Sequence, residues 1–214
     1  MGVTLKLATS LDGRIAIASG ESQWITGQPA RDAGHRLRAE HAAIVIGIET
    51  ALADDPELTV RLRGFDGVQP ARVVLDSRQR LPVNSRLART AREIPTWVVS
   101  TNPPSEALAS LGVQVLQVED LGDGRPELKS TVMRLARAGL GSLMVEGGGQ
   151  VAASFLRCGL VDRIEWFRAP VLLGGEGRPG VGALGLTALA DAPRFRRVSV
   201  EPLGEDLWER YEAV

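Results

Sequence analysis

The residues able to do chemistry fall in a few short runs. Val145-Glu146-Gly147-Gly148-Gly149-Gln150 reads as a buried strand entering a glycine-rich turn and then a helix. Glycines let backbone come close to a ligand, and a helix N-terminus offers free N–H groups and a positive dipole. Together these suit the phosphates of a nucleotide cofactor. The plain alternative is a tight strand-to-helix turn, although three consecutive glycines exceed what a turn requires. Gly175-Glu176-Gly177-Arg178-Pro179-Gly180 also satisfies G-x-G-x-x-G. It lies late in the chain, carries Pro179 inside it and precedes a stretch too glycine-rich to open a helix. It therefore reads as a flexible loop, at most edging a cofactor, and not as a Rossmann fingerprint.

Lys6 sits in an apolar N-terminal run where Leu5 and Leu7 face one side of a strand and Thr4, Lys6 and Ala8 the other. A lysine in a core strand is costly unless its ammonium reaches an anion or water. On an edge strand it would simply be solvated. Gly20-Glu21-Ser22-Gln23-Trp24-Ile25-Thr26 precedes a helix carrying Arg31, His35 and Arg38, with Thr26 placed to cap it. Trp24 in such a loop can stack on a flat ring, whereas an isolated tryptophan is more often core. Leu52-Ala53-Asp54-Asp55-Pro56-Glu57-Leu58-Thr59-Val60-Arg61 sets two carboxylates before a proline turn. That pairing suits acid/base work, or merely a turn. His35 and His41 are six apart, on different helical faces, which argues against a metal site. G-x-S-x-G, P-loop and zinc-deaminase signatures are missing from the sequence.

These residues need elements to hold them. Strands are predicted at Val3–Thr9, Ala42–Ile48, Ala71–Asp76, Thr96–Ser100, Val113–Val118, Ser142–Glu146, Arg163–Ala169, Arg196–Pro202 and Leu207–Ala213. Helices are predicted at Gln28–Glu40, Ser105–Leu111, Pro126–Ala138 and Val151–Arg157, with a turn at Glu49–Ala53. Pro126 suits a first helical turn, and Gly139 the position just past the end. Runs such as Ala42–Ile48 are apolar on both faces, as in parallel sheets covered by helices. The last two strands alternate in polarity and follow one another directly, which predicts an antiparallel edge hairpin turning near Gly204. The fold class is therefore α/β, a mainly parallel central sheet with helices on both faces and an antiparallel C-terminal edge hairpin. In such sheets ligands bind beyond the carboxyl ends of the strands.

Composition bounds the function. The chain has 214 residues, 44% of them hydrophobic, enough for a real core. With 25 Lys+Arg against 26 Asp+Glu its net charge is −1, which removes the usual electrostatic case for nucleic-acid binding. No charge-free stretch exceeds 12 residues, too short for a membrane-spanning helix. A single cysteine, Cys158, excludes a disulfide framework and a cysteine-based zinc site. Lysine occurs only at Lys6 and Lys129. A cytoplasmic protein without membrane or nucleic-acid partners is expected.

Taken in order, Ser10-Leu11-Asp12-Gly13, Gly20–Thr26, Arg36-Leu37-Arg38-Ala39-Glu40, Leu52–Arg61, Val74–Arg78, Val145–Gly149, Gly159-Leu160-Val161-Asp162 and Ala169–Gly175 resemble one family. It is the reductase domain of the riboflavin-biosynthesis deaminase/reductase proteins, which share the dihydrofolate-reductase fold. The resemblance covers nearly the whole chain. It implies one reductase domain over residues 1–214 and a homodimer; in one departure from the bifunctional form, no separate deaminase domain is expected. The implied reaction is NADPH-dependent reduction of 5-amino-6-(5-phospho-D-ribosylamino)uracil at the sugar C1, giving the open ribityl chain.

Residue by residue, the resemblance places Ala8, Trp24, Thr50, Asp54, Ser77 and the segment from Gly148 through Gly149, Gln150 and Val151 to Ser154 at the cofactor. It places Ser22, Arg38, Leu58, Arg61 and Glu146 at the substrate. Arginines hold phosphates in forked geometry; the alternative for Arg38 and Arg61 is a surface ion pair with neighbours such as Glu40 or Asp66. Lys6 and Asp54 are the candidates for polarising or protonating the sugar, with no metal required. Two other readings share these elements: a dihydrofolate- or pterin-type reductase, and a nucleotide-binding module without turnover.

Overall fold

The computed structural model describes residues 2–120, 122 and 124–214. Its elements run β1 (Gly2–Thr9), β2 (Arg14–Ala16), α1 (Gln28–Ala39), β3 (Ala43–Gly47), α2 (Ile48–Asp54) and β4 (Ala71–Leu75). They continue with α3 (Arg86–Arg89), β5 (Thr96–Ser100), α4 (Glu106–Ser110), β6 (Gln114–Gln117), α5 (Leu128–Arg137) and β7 (Ser142–Gly147). The chain ends with α6 (Gly149–Arg157), β8 (Arg163–Arg168), β9 (Arg178–Pro179), β10 (Phe195–Leu203) and β11 (Asp206–Ala213). Two compact units emerge: Leu37–Met144, and Gly2–Arg36 together with Val145–Val214.

In the first unit β3, β4, β5 and β6 are successive parallel strands, with Val45 opposite Val73, Val73 opposite Trp97 and Val98 opposite Val115. Ile44, Val45, Val73, Val74, Val98 and Val99 are fully buried, on both faces of their strands. That explains the unbroken apolar runs, because each β-branched residue packs whichever way it points. In the second unit β1 and β8 are parallel, while β8 with β11 and β11 with β10 are antiparallel. The expected mostly parallel α/β sheet with an antiparallel edge hairpin is thus present. Gly204, at φ +66, makes the hairpin turn.

Local chemistry moves some boundaries. The helix expected from Pro126 starts at Leu128, because the Glu127 carboxylate caps it, accepting from the backbone N–H groups of Lys129 (2.9 Å) and Ser130. Gly139 follows it at φ +92, as expected. Thr26 is not the cap of α1, which begins one residue later than that role requires; Gly27 precedes it and donates its N–H to Asp206 (2.6 Å). The turn at Glu49–Ala53 is a helix, α2, and α6 opens at Gly149, two residues before Val151. His41 lies beyond the end of α1, its Nδ1 2.6 Å from the Leu37 carbonyl oxygen.

The segment expected to be a flexible glycine loop is an ordered strap. Arg178–Pro179 pairs with β2, Gly180 N–H donates to the Gly13 carbonyl (2.9 Å) and Gly182 N–H to that of Gly149 (2.8 Å). Its glycines serve close approach: a Cβ on Gly177 would lie 2.9 Å from Arg14, and one on Gly180 3.0 Å from Thr9.

Candidate active site

The second unit holds Lys6, Ala8, Ser22, Trp24, Glu146 and Gly148–Val151. Lys6 and Ala8 are half-buried on one face of β1, while Leu5 and Leu7 are buried on the other. The Lys6 ammonium is 5.7 Å from the centre of the Phe167 ring, and its Cε would be 3.7 Å from a Cβ on Gly34 of α1. Lys6 is therefore tucked under α1. Glu146 is half-buried at the end of β7, where Gly147, at φ +110, turns the chain into Gly148. No side chain caps α6 at Gly148, so the helix N-terminus keeps its capacity for an anion. Gly149 is constrained otherwise: a Cβ there would meet the Pro179 carbonyl oxygen at 2.4 Å. That glycine serves the strap.

Trp24 is 66% exposed, settling the choice between core and loop residue. Its ring carries the Arg31 guanidinium at 4.6 Å, within cation–π range. Arg31 is fixed further by donating to the Thr26 carbonyl (2.6 Å) and to Gln28 (2.5 Å). Both line an open cleft of about 550 Å³ whose other walls include Pro170, Val171 and Asp206. Ser22 is half-buried nearby in sequence but does not line that cleft.

The motif Ser10-Leu11-Asp12-Gly13 has a structural task. Asp12 accepts from the Ser10 hydroxyl (2.6 Å) and from the N–H groups of Leu173 (3.1 Å) and Gly174 (2.8 Å), stitching loop 171–174 to the turn after β1. The Ser10 hydrogen bond, followed by that from Leu173, holds the Asp12 carboxyl down at about 2.

The first unit holds Arg38, Thr50, Asp54, Leu58, Arg61 and Ser77. Thr50 and Asp54 are one turn apart on α2. Asp54 lies at the surface, yet partial desolvation raises its carboxyl pKa, favouring the protonated form. Its neighbour does different work: Asp55 accepts from the Arg86 N–H (2.8 Å), opening α3. Arg38 donates to the Thr59 carbonyl (2.9 Å), which joins it to the segment Leu58–Arg61. Leu58 is buried in left-handed backbone at φ +55. Val60 is clamped at both ends by the Gln69 amide, at 2.7 and 3.2 Å. Arg61 forms an ion pair with Glu57 (3.8 Å), and half-exposure of both makes that pair weak. Ser77 follows β4, its carbonyl accepting from Ser100 (2.8 Å) and Thr101 (3.1 Å).

One supporting residue escaped sequence reading. Arg72, 1% exposed inside the β4 run, donates to Thr96 (2.6 Å), Thr90 (2.8 Å) and the carbonyls of Ile94 (2.9 Å), Leu87 (3.3 Å) and Glu57 (3.4 Å). Burial pulls its pKa down to about 10. It anchors the carbonyl of Glu57 directly before Leu58. The available signal was an arginine within an otherwise apolar strand, which demands several acceptors.

A family model described as the RibD C-terminal domain matches residues 2–208. The riboflavin biosynthesis protein RibD of Aquifex aeolicus is 39% identical over 207 residues, covering 96% of this chain and 56% of its own length. The chain thus spans little more than half of that relative. A Methanothermobacter thermautotrophicus protein named 2,5-diamino-6-ribosylamino-4(3H)-pyrimidinone 5′-phosphate reductase is 40% identical over 212 residues, covering 98% of this chain and 96% of its own. Among solved structures, Acinetobacter baumannii RibD superposes with a TM-score of 0.86 at 35% identity, over 100% of this chain and 58% of that one. By sequence and by fold, the chain belongs to the RibD C-terminal domain family.

Proposed function

We propose that this chain is an NADPH-dependent reductase of a ribosylaminopyrimidine 5′-phosphate, acting in riboflavin biosynthesis. The observation that carries this reading is the 40% identity, over nearly its full length, to a relative named as such a reductase. The site residues fit a nicotinamide dinucleotide: the N-terminus of α6 has no side-chain cap, and the exposed Trp24 can stack a flat ring. When bound, NADPH supplies the hydride that reduces the sugar C1. Ala8, Trp24, Thr50, Asp54, Ser77 and Gly148–Val151 would bind and orient it. Ser22, Arg38, Leu58, Arg61 and Glu146 would hold the substrate, the arginines at its phosphate.

The proton that completes the ribityl product would come from Lys6 or Asp54. Desolvation raises the Asp54 carboxyl above its ordinary value, the direction a proton donor requires. The whole chain would act as one reductase domain, as a cytoplasmic homodimer. The test is loss of reduced-nicotinamide absorbance with three substrates: the aminouracil 5′-phosphate, its 2,5-diaminopyrimidinone counterpart, and dihydrofolate. Turnover of either phosphorylated pyrimidine is expected. Turnover of dihydrofolate alone overturns the reading.

A further inference from the structure

Lys6 carries a charge in a place that does not readily tolerate one. It is half-buried between β1 and α1, close to Gly34 and facing the ring of Phe167, which is itself fully buried. An ammonium there needs a nearby anion to stay charged. Strand register supplies one. Lys6 is the β1 partner of Glu165 on β8, and in-register parallel neighbours project to the same face about 5 Å apart. Glu165 is only 3% exposed. Its Oε2 accepts from the Trp208 indole N–H (2.7 Å), and Trp208 stacks on Phe167 at 5.4 Å. Carboxylate, indole and phenyl ring thus form one fixed wall beside the ammonium.

Other charges bear on the same face. Arg210, the β11 partner of Glu165, lies over Trp208 at 4.6 Å and is ion-paired with Glu201. His35 and Arg31 sit on α1 near Gly34, and Glu146 on β7; Arg163 and Glu212 lie further along β8 and β11. Glu165 is nearly completely buried, stands in register with Lys6 and is held in orientation by Trp208; Glu146, on the strand that flanks β1 on its other side, is half-buried.

We propose that Glu165 is a positioning residue for Lys6: its buried carboxylate keeps the ammonium charged and fixes it beside the Phe167–Trp208 stack. The role of Lys6 in reduction rests on the function proposed above; the pairing itself does not. Because the chain has only two lysines, lysine-selective NMR reads Lys6 directly, with Lys129→Arg assigning the two signals. In Glu165→Gln, Lys6 is expected to lose its proton at a pH at least one unit lower than in the wild type. Glu165→Asp should shift it less. By reciprocity, Lys6→Met should raise the pH at which the Trp208 indole signal reports protonation of Glu165, a readout available even where Glu165→Gln does not fold. Unchanged Lys6 titration in folded Glu165→Gln, or an unchanged Trp208 signal in Lys6→Met, overturns the proposal.

Activity supplies a separate arm. Glu165→Gln should lower kcat about tenfold with KM and NADPH affinity within twofold, and should cost nothing more in a Lys6→Met background. A wild type that turns over neither phosphorylated pyrimidine refutes the proposed function while leaving the NMR result to decide the pairing. Additive losses in the double variant overturn the positioning role.

Discussion

Two adjacent aspartates end α2, and their surroundings assign them different work. Asp55 accepts from the Arg86 backbone and so holds α3 in place, whereas Asp54 has a carboxyl biased toward its protonated form by desolvation. Asp54→Asn should therefore lower kcat by about 10²-fold while NADPH binding changes little. Wild-type kcat should also fall as pH rises through the raised Asp54 pKa, because the proton is then lost. Asp55→Asn should lower the Tm and leave kcat within about twofold; a pH-rate profile and a melting curve for each variant separate the two. A third aspartate serves pH stability. The Asp12 carboxyl is held at about 2, below its ordinary 3.8, so the folded state favours its charged form. That contribution is fully present above about pH 4 and is lost as pH falls through about 2. Asp12→Asn should melt earlier at neutral pH, with the gap from wild type closing across that acid window. At this scale the sequence disclosed the side chains but not their partners. Trp24 could be read as core or as a stacking surface, and only its exposure removes the core reading. The five acceptors of Arg72 lie on both sides of it in sequence, from 15 residues before to 24 after, which no spacing rule connects.

At the scale of elements, strands were legible where both faces are buried, since a continuous β-branched run has few other uses. Short pieces were not. α3 has four residues and β9 two, about one period of the helical and strand patterns respectively, too few for a repeat to show. The strap reads as a flexible loop in sequence for a related reason: Gly177, Gly180 and Gly182 are placed by what they pack against, namely Arg14, Thr9 and Gln150. Adjacent glycines at the start of α6 can therefore be separated by experiment. Gly149→Ala drives a methyl into the Pro179 carbonyl, so it should lower the Tm and speed amide exchange at Gly182. Gly148→Val obstructs the position proposed for the cofactor phosphates and should raise the NADPH Kd at least tenfold, about 1.4 kcal/mol, in a folded protein. Calorimetry showing wild-type affinity for Gly148→Val would remove this turn from the phosphate site.

For the molecule as a whole, a net charge of −1 means that no global field draws an anionic substrate in. Selectivity for a phosphorylated pyrimidine must then reside in local contacts, and Arg38 and Arg61 are the groups proposed for it. Arg38 is already fixed against the Thr59 carbonyl, two residues before Arg61, so both belong to one preorganised segment that Gln69 and Arg72 hold from behind. The pairing of Arg61 with Glu57 is long and half-exposed, weak enough to yield to a dianionic phosphate. Arg38→Ala or Arg61→Ala should raise KM for the phosphorylated substrate by one to two orders of magnitude, roughly 1.4–3 kcal/mol. Each variant should discriminate poorly between phosphorylated and dephosphorylated substrate. Added salt should weaken wild-type binding more than that of the variants, because the charge it screens is the one removed. A folate reductase of the same fold would show none of this, since its substrate has no phosphate to lose. Wild-type kinetics in both alanine variants would place the phosphate elsewhere and take away the main physical support for this substrate class.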